Sequence, residues 1–211
     1  MNIVFDFGNV LVEWHPSRLV QHHYLAADGR AQFPDALAHT LVHHPDWLDF
    51  DLGLIDTREL AARSAQRLGL NVAGMLEFIE RIPHVLPLCV PTIALMQSLA
   101  DGVHGEHRVL YLSNMPTAFA DVLEARCPWI ARFEAGLFSG RVKLAKPDAA
   151  IYAAAESQLG LDPADTLFLD DSAPNVAAAR LRGWRAETIQ NPQNDQSVRA
   201  ALVTHGILRA A

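Results

Sequence analysis

The chain has 211 residues, 50% of them hydrophobic and 19% charged, a balance that supplies the apolar area of a folded core and excludes disordered, collagenous, coiled-coil and low-complexity classes. At a prior of about 150 residues per domain, one domain carrying an insertion is as natural as two. Seventeen Lys and Arg against 24 Asp and Glu give a formal charge of −7, which repels nucleic-acid backbones and anionic membrane surfaces, so neither is expected as a partner.

Ile3 to Phe7 form a short apolar run closed by Gly8 and Asn9, the profile of a strand buried on both faces and ending in a tight turn. Residues 15–85 then offer only helical spacing, read as four helices. The first opens at Pro16 and stops near Gly29, and the second runs from about Pro34 to His44 and stops at Pro45. The third opens on Asp56 and Glu59, spaced as a capping box, and closes at Gly69; the fourth follows Asn71 and ends before Pro83. A block of this size inserted after a first strand overhangs the strand ends as a cap or lid. Within it His39 and His43 stand one helical turn apart without a carboxylate to complete a metal site, and they read as partly exposed helix residues. Trp14, Tyr24, Trp47 and Phe50 read as packing residues, with Trp14 close enough to the first strand to face a pocket.

Beyond residue 86, strands and helices alternate. A helical segment at 92–101 precedes the strand Arg108 to Ser113, stopped by Asn114. A helix at 117–126 precedes a weaker strand, Phe133 to Ser139, and a helix at 148–159 ends before Gly160. Strands follow at Thr166 to Asp171 and, after Gly183, at Trp184 to Ile189. Alternation with strands apolar throughout predicts an α/β fold, a three-layer Rossmann-like parallel sheet, with ligands beyond the carboxyl ends of the strands. The expected division is a core of residues 1–14 and 86–211 and a helical-bundle cap of residues 15–85. Cys89 and Cys127 make neither a disulfide framework nor a metal-ligand spacing and read as reduced structural thiols. No basic leader precedes Asp6 and no apolar stretch approaches the length of a membrane span, so cytoplasmic placement is expected.

Three acids, Asp6, Asp170 and Asp171, stand at the ends of two such strands. On adjacent parallel strands their carboxylates would converge and repel, and an oxygen-only site of this kind suits Mg²⁺. Taken singly, an acid after a strand can also cap the next helix. Ser113 emerges at the end of its strand, and with the Asn114 amide it can hold a phosphoryl oxygen or form an ordinary turn. Lys146 precedes a helix start, where the dipole disfavours a cation, which hints at an anionic partner.

These four elements in this order resemble the haloacid dehalogenase-like superfamily of hydrolases, and the resemblance covers nearly the whole chain. Its motifs are matched by Asp6-Phe7-Gly8-Asn9-Val10, Leu112-Ser113-Asn114, Lys146-Pro147-Asp148 and Asp170-Asp171-Ser172 with Asn175. The resemblance implies Asp6 as a nucleophile forming an aspartyl-phosphate. It implies Mg²⁺ held by Asp6, the Gly8 backbone carbonyl and Asp171, with Asp170 joining directly or through water. Ser113, the Asn114 amide and Lys146 would stabilise charge on the transferring oxygens. The form of the first motif looks most like the branch containing the α-D-glucose-1-phosphate phosphatases, whose substrates are small phosphomonoesters. One departure stands out: the second aspartate of the first motif, the general acid and base of the superfamily, is Gly8 here. Glu13 and His15 lie just beyond and could reach inward. Its loss would cost about 10²- to 10⁴-fold unless another group compensates. Two rivals therefore accompany the phosphatase reading: a metal-free dehalogenase using the same aspartate, and a weak or idle protein that binds phosphorylated ligands.

Overall fold

The computed structural model describes residues 1–24, 36–191 and 193–209. Five strands, β1 (Asn2–Phe5), β2 (Arg108–Ser113), β3 (Ala135–Phe138), β4 (Thr166–Asp170) and β5 (Arg185–Thr188), form one sheet in the order β3-β2-β1-β4-β5, every neighbouring pair parallel. The chain builds from β1 to β2 and β3 on one side, then crosses to β4 and β5 on the other. Its direction of growth thus reverses between β1 and β4, and a crevice opens at the carboxyl ends there. The strand expected at 3–7 stops at Phe5, because Phe7 already closes a tight turn: its carbonyl accepts from the amides of Val10, Leu11 and Val12.

The pleat sends alternate residues to opposite faces. Ile3, Phe5, Leu167 and Leu169 belong to one buried cluster, and Val4, Leu110, Leu112 and Phe168 to another. All three of Ile3, Val4 and Phe5 are fully buried, and each contributes about 1.5–3 kcal/mol as an upper estimate. Burial on both faces is what a central parallel strand requires.

Between β1 and β2 run α1 (Pro16–His23), α2 (Ala36–Val42), α3 (Pro45–Asp51), α4 (Thr57–Leu68), α5 (Val72–Val85) and α6 (Val90–Ala100). Later helices are α7 (Thr117–Arg126), α8 (Ser139–Val142), α9 (Ala149–Leu159), α10 (Ala173–Leu181) and α11 (Gln196–Thr204). The block before residue 86 therefore holds five helices among the described residues, where four were expected; Gly29 and Pro34, two of the expected limits, lie outside those residues. Pro45 starts a helix instead of only stopping one. A first-turn proline loses no bond, and the His44 ring accepts from the Asp46 amide at 3.2 Å as its cap. Asp56 and Asn71 cap α4 and α5 as expected, accepting from Glu59 N at 2.8 Å and Gly74 N at 3.0 Å. Pro83 does not end α5, which continues to Val85. In the last turn its missing N–H forfeits a single bond, and the Arg126 guanidinium donates to the carbonyls of Pro83 at 2.7 Å and Leu86 at 2.9 Å.

The segments leading into and out of the block pair with each other: Glu13 N donates to Pro87 O and Cys89 N to Leu11 O. Apolar residues of the helices, among them Trp47, Phe50, Leu60 and Phe78, share one buried cluster with Ile3 and Phe5 of the sheet. His39 and His43 are exposed and lie ring against ring, centroids 4.1 Å apart. Cys89 and Cys127 are buried free thiols. No described helix is long and apolar enough to cross a membrane.

Candidate active site

Asp6 follows the last residue of β1, and its amide donates to Leu169 O of β4 at 2.9 Å, which ties it to the neighbouring strand at the switch point. Phe7 points the other way. Its ring is fully buried against Phe138, Tyr111 and Trp129, at centroid distances of 5.1, 5.4 and 5.6 Å, so alternation along the chain leaves Asp6 facing the crevice. The backbone turns at Asn9, which takes φ 51°, a left-handed conformation that asparagine tolerates better than most residues. The Asn9 side chain serves both sides: Oδ1 accepts from Trp14 N and Nδ2 donates to Asp171 Oδ2, each at 2.9 Å.

Asp170 ends β4 and is fully buried. Its Oδ1 accepts from Ser172 N at 2.8 Å and from Asn175 Nδ2 at 3.0 Å; its Oδ2 accepts from Lys146 Nζ at 2.7 Å and from Asn175 Nδ2 at 3.1 Å. Lys146 lies two residues before the Asp148 cap of α9, ahead of the helix as the sequence predicts. Its buried ammonium reaches Asp6 Oδ1 at 2.8 Å, Asp170 Oδ2 at 2.7 Å and Leu112 O at 2.9 Å. The Asn114 side chain clamps the lysine's backbone, donating to Lys146 O and accepting from Lys146 N, both at 2.8 Å. Ser113 is buried and lines the crevice.

Asp6, Asp170 and Asp171 each offer an oxygen within 4.8 Å of the others, the only such group of possible metal ligands among the described residues. Three carboxylates face one ammonium. Burial pushes the Asp6 carboxyl up to about 7; Lys146 works against this, while Asp170 and Asp171 add to it. Asp171 is likewise raised, first by burial, with the Asn9 hydrogen bond opposing. Burial works to lower the Lys146 pKa, but Asp6 and Asp170 outweigh it and hold it above its ordinary value. An uncompensated cluster of this kind, with oxygen donors only, fits a hard divalent cation.

All the expected site residues, Asp6, Gly8, Ser113, Asn114, Lys146 and Asp171, line one cavity, with Asp170 buried directly behind it. Glu13 and His15, which the sequence allows as inward-reaching acids but places more readily in an exposed loop, do not. Glu13 lies 3.7 Å from the His15 ring and 3.9 Å from Arg18, and both Glu13 and His15 line a different cavity, against α5. Sequence reasoning missed Trp47 and Asp51, which the cap adds to the wall beside Trp14; the Trp14 and Trp47 rings are 5.9 Å apart. One signal for Asp51 was present: an acid at the end of a helix, where the dipole disfavours it, between Phe50 and Leu52.

Residues 1–183 match the family model described as haloacid dehalogenase-like hydrolase. A sesquiterpene phosphatase of Aspergillus oryzae is 25% identical over 183 residues, covering 85% of each chain. The fold is shared with a haloacid dehalogenase family enzyme from Bacteroides thetaiotaomicron, at a TM-score of 0.74 and 21% identity, covering 94% of this chain and 97% of that one. That enzyme has also been solved with magnesium and inorganic phosphate. It is shared too with the L-2-haloacid dehalogenase of Xanthobacter autotrophicus, at a TM-score of 0.65 and 21% identity, covering 98% of this chain and 84% of that one. With the family model matched over most of its length and the strand-end carboxylates and lysine in place, this chain belongs to the haloacid dehalogenase-like hydrolases.

Proposed function

We propose that the protein is a Mg²⁺-dependent phosphatase that hydrolyses a small soluble phosphomonoester through an aspartyl-phosphate on Asp6. The observation that carries this reading is the cluster of three carboxylates against one ammonium at the switch point. A metal-free reaction at Asp6 has no use for so much negative charge, so the dehalogenase reading is disfavoured. Asp6, the Gly8 carbonyl and Asp171 would hold Mg²⁺, with Asp170 joining directly or through water, and the ion would supply positive charge to the phosphoryl oxygens. The sesquiterpene phosphatase relative and the magnesium–phosphate complex of the Bacteroides enzyme support the same chemistry.

On this reading the Asp6 carboxylate attacks phosphorus as the bond to the alcohol oxygen breaks, and water then releases inorganic phosphate and restores the aspartate. The Ser113 hydroxyl and the Asn114 amide donate to phosphoryl oxygens. Lys146, held by Asn114 and Asp170, favours the ionised form of Asp6, holds it in place and adds positive charge beside the transferring group. Residues 15–85 act as the cap over a core of residues 1–14 and 86–211, and the cap's Trp47, with Trp14 at its entrance, walls the leaving-group side.

The test is release of inorganic phosphate from sugar 1- and 6-phosphates and prenyl monophosphates, with Mg²⁺ and with EDTA. The sugar arm follows from the Asp6–Val10 motif, the prenyl arm from the relative. Mg²⁺-dependent release that Asp6→Asn abolishes is the expected result. EDTA-resistant turnover of a 2-haloacid would favour the dehalogenase, and inertness towards every ester would favour a ligand-binding protein.

A further inference from the structure

The glycine at position 8 leaves the first motif without its acid, and sterics do not demand it. A Cβ there would meet only Trp14 Cβ at 3.8 Å and Asp6 Oδ2 at 4.0 Å, ordinary contacts. The cavity holds one further carboxyl. Asp51 ends α3 of the cap and lines the same wall as Asp6, Ser113 and Lys146.

Asp51 is fixed to the core beside this cavity. Its carbonyl accepts from Ser139 Oγ of the core at 2.6 Å, and that Oγ accepts from Met115 N at 2.8 Å, on the loop following Ser113. Two residues on, Gly53 takes φ +64° and lies so close to the core that a Cβ would stand 2.4 Å from Gly140 O. The end of α3 is therefore pinned to the core at two points by backbone contacts, which fix Asp51 on the cavity lining and leave its carboxyl free to exchange a proton.

Its surroundings favour a neutral acid that can ionise. Among the described residues no group donates a hydrogen bond to its carboxyl, and it sits at the negative end of α3 with no basic residue in the last turn. Of the cations on the packed helices, Arg63 of α4 is engaged with Asp46, Asp49 and Glu59, Arg67 of α4 with Asp46 and Thr40 O, and Arg141 of α8 with Asp121 and Glu124, while Arg58 of α4 is exposed. His39 of α2 lies against His43. The other charged side chains on the cavity wall are Asp6, Asp171 and Lys146. Burial pushes the Asp51 carboxyl up to about 7, where a general acid and base works best near neutral pH.

We propose that Asp51, delivered by the cap, is the general acid and base that Gly8 leaves missing; the inference rests on the phosphatase reading. In the first step the bond between phosphorus and the alcohol oxygen breaks, Asp6 Oδ bonds to phosphorus, and the Asp51 proton passes to the departing oxygen. In the second, the Asp51 carboxylate takes a proton from water as the water oxygen bonds to phosphorus and Asp6 is released, which restores both carboxyls. Because the acid comes from the cap, the site is complete only when α3 is seated on the core.

The experiment compares Asp51→Asn with wild type on two esters in Mg²⁺: glycerol 2-phosphate, whose alkoxide needs a proton, and p-nitrophenyl phosphate, whose nitrophenolate does not. Since kcat/KM reports the first step, it should fall about 10²- to 10⁴-fold on glycerol 2-phosphate and less than about tenfold on p-nitrophenyl phosphate. Steady-state kcat on the aryl ester should also fall, with a burst of about one nitrophenolate per enzyme, because water has lost its base. Asp51→Glu keeps a titrating carboxyl and should recover part of the alkyl-ester rate, which tests the same point if the Asn variant does not fold. Equal losses on both esters, no loss on either, or a Glu variant as selectively slow on the alkyl ester as the Asn variant would overturn the assignment of Asp51. A wild type inert towards both esters would overturn the phosphatase reading itself.

Discussion

In metal-free protein, replacing Asp6, the proposed nucleophile, by asparagine should stabilise the fold at neutral pH. The carboxyl is only 6% exposed, and burial, with Asp170 and Asp171 adding and Lys146 opposing, lifts it from 3.8 to about 7. A carboxyl whose folded pKa exceeds its unfolded value binds its proton more tightly in the native state. The stability it contributes is therefore fully present below the unfolded pKa, near 4, and is lost as pH rises through the folded value near 7. About three pH units at about 1.4 kcal/mol each sets an upper limit of roughly 4 kcal/mol. Asparagine keeps the shape without the charge and escapes this penalty, and the loss of the ion pair with Lys146 is already contained in it, because Lys146 opposes the rise. Lys146 retains Asp170 at 2.7 Å and Leu112 O at 2.9 Å. The net expectation is a gain of up to roughly 4 kcal/mol at about pH 8 that shrinks to about 1 kcal/mol or less at about pH 4.5. Urea unfolding in EDTA at the two pH values, with equal m-values for both proteins, measures it. An Asn variant no more stable than wild type at the higher pH, or a difference that does not change with pH, would refute the reasoning. Millimolar Mg²⁺ should reverse the order, because the wild-type carboxylate gains a ligand that asparagine binds poorly.

Lys146→Met leaves Asp6 and Asp170 buried without their cation, so it should cost about 3–5 kcal/mol at neutral pH, less in acid, and abolish turnover; denaturant melts at both pH values, with and without Mg²⁺, check this. Phe7→Ala empties the space between Phe138, Tyr111 and Trp129 and should cost about 3–5 kcal/mol, with a loss below about 1 kcal/mol showing that the ring is not the anchor of the motif turn. Arg126→Ala removes the donor to Pro83 O and Leu86 O; it should cost about 1.5–3 kcal/mol and speed hydrogen exchange at the end of α5 more than in the sheet.

How much could be read in advance differs between the two halves of the molecule. The strand over Arg108–Ser113 and the helix over Thr117–Arg126 were read at their observed limits, because a doubly buried parallel strand is apolar throughout and a helix repeats every 3.6 residues. The cap was read less well. Pro45 and Pro83 read locally as stops, yet one opens α3 and the other lies inside α5. A proline's local cost is set by what else satisfies the backbone, here the His44 ring and the Arg126 guanidinium, and those partners are distant or ambiguous in the chain.

The sequence by itself determined the alternation of strands and helices and the strand-end positions of Asp6, Ser113 and Asp170, because each depends on local pattern and spacing; the gap at Gly8 is visible only against the motif that the chain resembles. Only the tertiary structure decided that Lys146 bridges Asp6 and Asp170, that the Asn114 side chain holds Lys146, and that Glu13 and His15 face another cavity while Asp51 faces this one. Each of those outcomes depends on the sheet order at the switch point and on the seating of the cap. Both are set by burial summed over the whole chain, so no single motif carries them.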